Sequence, residues 1–135
     1  MKVFVDASAV VAIIANEPDC VELRERLKRY KQRRFSSLVV YESVLALQRL
    51  SGANHEAMLE LVKGFQHSYA FIREPVAIDW RVAELAIEAF QTYGKGRSKA
   101  KLNFGDCFSY ACAKSIKAKL LFKGNDFGQT DIEIA

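Results

Sequence analysis

Short apolar or β-branched runs alternate with amphipathic helical segments along this chain of 135 residues. The short runs have the pattern of buried strands, and the longer segments carry apolar residues at the spacing of one helix face. Strands that alternate with helices in this way form a parallel sheet whose two faces are both covered by helices. The order of the segments therefore predicts an α/β fold.

The predicted strands are Lys2–Asp6, Arg34–Leu38, Lys119–Phe122 and Ile132–Ile134, with one or two more around Pro75 within Phe71–Ile78. The predicted helices are Ala7–Ala15, Cys20–Lys31, Val40–Leu50, a segment from Asn54 through His67, Asp79–Tyr93 and Phe104–Ala118. Asp19, Asn54 and Asn103 are the expected N-caps. The chain length fits one domain over residues 1–135.

Four acidic residues stand beside apolar runs, where a lone carboxylate is costly to bury. Asp6 and Asp126 follow predicted strands, Asp106 opens a helix, and Glu42 lies in the first or second turn of another helix. In parallel sheets the ligand site lies beyond the carboxyl ends of the strands, so these acids are expected to meet there. Carboxylates suit hard cations, which predicts a Mg²⁺ or Mn²⁺ site and a metal-dependent phosphodiester enzyme.

Other polar residues near the predicted site each have two interpretations. Asp131 is either a fifth acid of the site or a turn residue. Ser8 is either an ordinary hydroxyl at a helix start or a group that orients a metal-bound water. Asn103 is a helix cap that either stops there or also reaches the site. The acids themselves have ordinary alternatives as strand-ending, turn or first-turn residues; for Glu42 this alternative is weakest, because its neighbours are apolar.

Positive charge is clustered in two segments of a chain with 20 Lys and Arg against 16 Asp and Glu. One cluster is the helix and strand region 24–34, and the other is a loop with two glycines that carries Lys95, Arg97, Lys99 and Lys101. Basic clusters attract phosphate backbones, although each is also compatible with a solvated surface. Because the loop directly precedes Asn103 and Asp106, its four cations are the predicted contacts to a nucleic acid, and region 24–34 stays open as a second contact.

The remaining composition favours a cytoplasmic protein. No apolar run approaches the roughly 20 residues of a membrane span, and the N-terminal segment has the pattern of a strand and not of a signal peptide. Cys20, Cys107 and Cys112 are an odd number without metal-ligand spacing, so they are expected to be small buried residues in a reducing compartment.

Four sequence blocks carry a resemblance to a known family. They are Asp6-Ala7-Ser8-Ala9, Glu42, Asn103-Phe104-Gly105-Asp106-Cys107 and Lys123-Gly124-Asn125-Asp126-Phe127. In order and spacing they resemble the signature blocks of PIN-domain ribonucleases, and more narrowly the VapC-type toxins of bacterial toxin–antitoxin pairs. The resemblance runs from residue 1 to about residue 134.

This resemblance implies a three-layer α/β/α sandwich with a parallel sheet of about five strands. It implies an acidic quartet of Asp6, Glu42, Asp106 and Asp126, in which Asp6 and Asp106 are foremost as metal ligands. Ser8 matches the Ser or Thr that is usual in the family. The choice between Asp126 and Asp131 as the fourth acid stays open. It also implies an RNA substrate, a small VapB-type antitoxin that blocks the crevice, and a homodimer.

Other classes fit the sequence less well. A phosphatase of the haloacid dehalogenase type needs a second Asp where this chain has Ser8, and a receiver domain needs an acidic pair that is missing. A non-catalytic PIN-like binding module is expected to lose an acid, and none is missing. A related nuclease that acts on DNA, or a role in RNA processing outside a toxin pair, remains open.

Overall fold

The computed structural model describes residues 1–135 as three strands and six α-helices. The strands are β1 (Lys2–Val5), β2 (Gln32–Arg34) and β3 (Lys119–Leu121). The helices are α1 (Ala7–Ile14), α2 (Cys20–Lys28), α3 (Ser37–Ser51), α4 (His55–Ser68), α5 (Trp80–Tyr93) and α6 (Phe104–Ser115), and a single 3₁₀ turn covers Asp126–Gln129.

The sheet is parallel, as predicted, but it has three strands and not about five. Its order is β2-β1-β3, and Val3 in the central strand pairs with Arg33 on one side and Lys119 on the other. The segment around Pro75 contributes only single backbone bonds to the β2 side, from Ile72 N–H to the Arg33 carbonyl at 3.0 Å and from Val76 N–H to the Phe35 carbonyl at 2.8 Å. Proline has no N–H to extend such pairing.

On the other side of the sheet, the predicted strand Ile132–Ile134 is reduced to one isolated bridge between Ile134 and Leu120. The Leu120 N–H donates to the Glu133 carbonyl at 2.9 Å, and the Ala135 N–H donates to the Leu120 carbonyl at 2.9 Å. Five chain segments thus lie side by side, and only the inner three have enough consecutive bonds to count as strands.

Helices cover both faces of the sheet because its two crossovers run in opposite directions. The chain passes from β1 to β2 through α1 and α2, and from β2 back past β1 to β3 through α3–α6. Right-handed crossovers in opposite directions place their helices on opposite faces. Helix α2 packs against β3, and α6 packs against β1 and β3. The three-layer sandwich expected from the resemblance is therefore confirmed.

Helix α3 begins at Ser37, earlier than the predicted Val40, because a polar side chain caps its start. The second strand ends at Arg34, since Ser36 caps α3 by accepting a hydrogen bond from the Val39 N–H at 3.2 Å. Asp19 precedes α2 without making a side-chain cap bond, so the prediction of its capping role was wrong. Asn54 and Asn103 do cap α4 and α6. The three cysteines are buried and unpaired, as predicted.

Candidate active site

Asp6 links the end of the central strand to the start of α1. Its N–H continues the sheet by donating to the Leu121 carbonyl at 2.9 Å, and its side chain caps α1 by accepting from the Ser8 N–H at 3.0 Å. The second carboxylate oxygen accepts a 2.5 Å hydrogen bond from the Ser109 hydroxyl on α6. The Asp6 residue is only 5% exposed. Its position is therefore fixed from two directions.

Asp106 is held in the first turn of α6 by a reciprocal capping box. The Asn103 side chain accepts from the Asp106 N–H at 2.9 Å, and Asp106 Oδ2 accepts from the Asn103 N–H at 3.1 Å. This arrangement uses one carboxylate oxygen for folding and leaves the other free of protein hydrogen bonds. The sequence left open whether Asn103 only caps the helix, and in the structure its side chain forms the cap.

Glu42 approaches the start of α6 from the second turn of α3. A methyl group placed on Gly105 would overlap the Glu42 carboxylate, so only glycine at that position allows the approach. Burial, together with the nearby carboxylates of Asp6 and Asp106, raises the pKa of Glu42 to about 7. These contributions place Glu42 in one group with Asp6 and Asp106.

Asp126 joins the same group, whereas Asp131 does not. The pKa of Asp106 is raised to about 6, mainly by burial; the hydrogen bond from the Asn103 N–H opposes this rise, and the charges of Asp6 and Asp126 add to it. Asp131 accepts hydrogen bonds from the Tyr110 hydroxyl at 2.5 Å and from Lys114 Nζ at 3.0 Å, and these partners lower its pKa. The structure thus brings four of the five candidate acids together and engages the fifth elsewhere.

Three serines border these acids, and two of them were not singled out from the sequence. Ser8 accepts a 3.0 Å hydrogen bond from the Lys123 N–H, which joins the start of α1 to the segment that carries Asp126. Ser109 is 2% exposed and donates to Asp6. Ser43 is fully buried beside Glu42 and its hydroxyl has no hydrogen-bond partner. The signal for Ser109 was a polar residue one helical turn after Asp106 on an apolar helix.

A hard cation fits the donor chemistry of this group, although its present side-chain arrangement does not enclose one. No three of the protein's His, Cys, Asp and Glu side chains converge closely enough to surround an ion. The four candidate ligands are all carboxylates. Burial is the main cause of the raised pKa values of Glu42 and Asp106, and neighbouring carboxylates add to it. Asp6, Glu42, Asp106 and Asp126 are the residues that would hold Mg²⁺ or Mn²⁺.

The basic loop between α5 and α6 is closed at its base and presents its cations outward. The Lys95 N–H donates to the Leu102 carbonyl, and the Leu102 N–H donates to the Tyr93 carbonyl, both at 2.9 Å. Lys95, Arg97, Lys99 and Lys101 are all exposed. The Arg97 guanidinium lies over the Phe90 ring, 5.4 Å from its centre. None of the four forms a salt bridge with an acid.

The cations of region 24–34 have different surroundings. Arg24 donates to the Ile13 carbonyl at 3.3 Å and to Asn16 at 2.7 Å, and Arg26 donates to the Ala135 carbonyl oxygen at 2.8 Å. Arg33 donates to the Leu27 carbonyl at 3.1 Å and to the Tyr69 carbonyl at 2.9 Å. These three arginines hold the backbone together, which distinguishes them from the cations of the loop.

Sequence comparison with known proteins identifies the family of this chain. Residues 3–133 match the family model described as PIN domain. The chain is 38% identical over 128 residues to VapC ribonuclease Mb0640 of Mycobacterium bovis, covering 95% of this chain and 94% of that protein. It is 40% identical to VapC ribonuclease R02377 of Rhizobium meliloti, covering 96% of this chain and 98% of the relative. The chain belongs to the PIN domain family and, within it, to the VapC ribonucleases.

Two solved structures share the fold at lower sequence identity. One is Mycobacterium tuberculosis VapC20, described as a Sarcin-Ricin loop cleaving toxin, with a TM-score of 0.71, 21% identity and 98% coverage of both chains. The other is VapBC2 from Rickettsia felis bound to a DNA fragment from its promoter, with a TM-score of 0.68, 18% identity and coverage of 99% of this chain and 96% of that one. No helix of the present structure has the length and apolarity needed to cross a membrane.

Proposed function

We propose that this protein is a metal-dependent endoribonuclease that acts as the toxin of a toxin–antitoxin pair in the cytoplasm. The observation that carries the proposal is that carboxylates from separate parts of the chain meet at the start of α6. Asp6, at the end of β1, is hydrogen-bonded to Ser109 on α6; the Glu42 carboxylate lies against Gly105; and Asp106 directly follows Gly105. The names of the related VapC ribonucleases give the substrate class, which is RNA. A carboxylate group of this kind next to a basic loop suits the hydrolysis of a polyanion.

Each group of the site has a role in the proposed reaction. A bound Mg²⁺ or Mn²⁺ would activate a water for attack on the phosphodiester and stabilise the leaving oxygen. Asp6 and Asp106 are the most firmly held of the four carboxylates, since hydrogen bonds fix both, and we assign them as the principal ligands. A neighbouring carboxylate can accept the proton of the attacking water. The hydroxyl of Ser109 keeps Asp6 oriented.

Cleavage is expected to require a divalent hard cation. Single-stranded RNA should remain intact with the protein in excess EDTA, and cleavage should return on addition of Mg²⁺ or Mn²⁺, because the four proposed ligands are all carboxylates, which suit hard cations. The measurement is gel analysis of a labelled RNA, with a DNA of the same sequence in parallel. Undiminished cleavage in EDTA would contradict the metal site, and preferential cleavage of the DNA would favour the alternative nuclease role.

We propose that the loop cations Lys95, Arg97, Lys99 and Lys101 bind RNA phosphates and take no part in the chemistry. Arg97 is the strongest candidate contact, since its planar guanidinium suits phosphate and Phe90 already orients it. Replacing all four residues with Ala should weaken RNA binding and reduce its salt dependence by roughly one unit of log–log slope per lost contact. Binding of Mn²⁺ at the carboxylates should not change. RNA affinity measured across salt concentrations gives both quantities.

A matched variant separates a local contact from an effect of total charge. Replacing Lys28, Arg29, Lys31 and Lys63 with Ala removes the same formal charge from exposed positions on other parts of the surface. We expect this control to alter the salt slope less than the loop variant does. Equal losses in the two variants, or no loss in the loop variant, would show that the loop is not a specific part of the RNA path.

We also propose a VapB-type antitoxin and a second copy of the chain as protein partners. The solved VapBC2 structure supports the first. The second is supported by an apolar groove of about 390 Å³ between α5 and α6, beside the exposed side chains of Ile87 and Phe104. The chain alone should have the molar mass of a dimer, and Ile87→Glu should make it monomeric. Val21→Glu, at a similarly exposed apolar position on α2, should leave the mass unchanged.

A further inference from the structure

The Asp126 side chain accepts no hydrogen bond that could fix its place beside Asp106. It is exposed and begins the 3₁₀ turn Asp126–Gln129, five residues after the end of β3. Its position must therefore come from the backbone of the segment between β3 and this turn. Phe127 anchors the far end of that segment by packing against Phe122, with 4.9 Å between the ring centres.

Lys123 anchors the near end of the same segment through both its backbone and its side chain. Its N–H donates to the Ser8 hydroxyl at 3.0 Å, at the start of α1. Its ammonium group pairs with the carboxylate of Glu17 and lies 3.8 Å from Asp19 Oδ1, both in the connection that follows α1. Asp19 Oδ1 is buried and has no hydrogen-bond partner, so Lys123 is the cation that faces it.

These contacts join the Asp126 segment to both ends of the helix that Asp6 caps. Ser8 lies in the first turn of α1, and Glu17 follows its last turn by three residues. Gly124, at a φ of +105°, then turns the chain sharply toward Asp126. The Lys123 side chain contacts residues after the end of α1, and its backbone N–H binds Ser8 at the start of α1. Together these contacts fix the Asp126 segment relative to Asp6.

We propose that Lys123 is a positioning residue that holds Asp126 at the metal site through its contacts with Ser8, Glu17 and Asp19. The inference rests on the proposed function, because it gives Asp126 the role of a metal ligand. It concerns neither RNA contact nor catalysis by the Lys123 ammonium group, which is turned to the two acids of the α1–α2 connection.

Removing the charge of Lys123 should change the affinity of the site for a divalent cation. The direction of the change differs between a positioning role of Lys123 and a purely electrostatic one. Lys123 and Glu42 line the same cavity of about 250 Å³, so the cation lies near the acidic group. Removing a positive charge near four carboxylates would, by charge alone, strengthen the binding of a divalent cation. Releasing Asp126 from its position would instead weaken the binding of the cation, by about 10-fold to 100-fold if Lys123 resembles other groups that orient metal ligands.

The test is the dissociation constant of Mn²⁺, measured by calorimetry on the full chain without RNA. Lys123→Met should weaken Mn²⁺ binding, Glu17→Gln should weaken it in the same direction, and Lys123→Arg should restore most of the affinity. In an Asp126→Asn background, Lys123→Met should have little further effect, because the residue acts through Asp126. Amide hydrogen exchange at Gly124–Phe127 in the metal-free protein should be faster in Lys123→Met.

Lys114→Met is the matched control. Lys114 pairs with Asp131, and its side chain is 34% exposed against 37% for Lys123. Its replacement should leave Mn²⁺ affinity unchanged. Unchanged or tighter Mn²⁺ binding in Lys123→Met, or an equal loss in the Asp126→Asn background, would overturn the positioning role. Equal Mn²⁺ binding by the wild type and Asp106→Asn is a different result, which would overturn the proposed metal site together with the positioning role.

Discussion

Asp106→Asn is expected to abolish RNA cleavage and to leave the fold intact, and Asp6→Asn should do the same. An amide keeps the shape of the carboxylate and can still accept the cap hydrogen bonds at both positions, but it removes the charge that a divalent cation needs. The loss should reach at least about a hundredfold, since a metal ligand supports several kcal/mol of transition-state stabilisation. Initial cleavage rates with Mg²⁺ measure the loss of activity, and circular dichroism measures whether the fold is kept.

The same substitution should stabilise the metal-free protein at neutral and higher pH. The pKa of Asp106 is raised from 3.8 to about 6 in the folded protein, and that of Glu42 from 4.5 to about 7. Between these limits the folded state keeps protons that the unfolded state releases, so wild-type stability falls as pH rises through the window. Asp106→Asn removes one of these carboxyl groups and gains about 1–2 kcal/mol at pH 8, a figure reduced for partial exposure to solvent.

The free energy of unfolding can be measured by chemical denaturation in EDTA at about pH 4 and about pH 8. It should fall less between these two pH values for Asp106→Asn than for the wild type. Asp131→Asn is the control, since Asp131 lies with Tyr110 and Lys114 and outside the acidic group. It should cleave RNA at a rate near that of the wild type. A folded Asp106→Asn protein that cleaves at the wild-type rate would contradict the assignment of the site.

Gly105→Ala is expected to lower cleavage by roughly tenfold or more without unfolding the protein. The added methyl group would occupy the place of the Glu42 carboxylate. Glu42 is a flexible side chain, so it can move away at little cost, and the helical preference of Ala over Gly offsets part of the strain. The displaced carboxylate would no longer stand beside Asp6 and Asp106. The variant should keep its melting temperature within a few degrees while its cleavage rate falls.

Gly64→Ala provides the comparison for this effect. Gly64 lies inside α4, and a methyl group there would meet no atom within 4 Å. This substitution should add up to about 1 kcal/mol of stability and leave cleavage unchanged. If Gly105→Ala proved as active as Gly64→Ala, the position of Glu42 against the start of α6 would be irrelevant to the reaction.

Local sequence signals predicted the parts of the site that depend on neighbouring residues. Asn103 and Asp106 stand three positions apart before an apolar helix, and that spacing is enough to specify their capping box. The central strand was equally clear from its apolar run, and Asp6 directly follows it. The number of strands was less predictable, because whether an edge segment pairs fully depends on tertiary contacts and on Pro75.

Contacts between distant parts of the chain could not be predicted in the same way. Ser109 is 103 residues from Asp6, and nothing in its immediate sequence identifies that partner. Asp19 looked like a helix cap, yet it faces Lys123 from the other end of the chain. The arginines of region 24–34 formed a basic cluster in the sequence, but folding directs three of them to backbone oxygens.

The placement of these acids at helix starts affects how an inactive form of the protein should be made. Asp6 caps α1 and Asp106 completes the cap of α6, so an alanine at either position removes a structural hydrogen bond along with the charge. Such a loss typically costs about 1 kcal/mol. An alanine variant with low activity would then mix two causes. Asparagine is the better choice for an inactive form intended for expression, crystallisation with RNA or capture of binding partners.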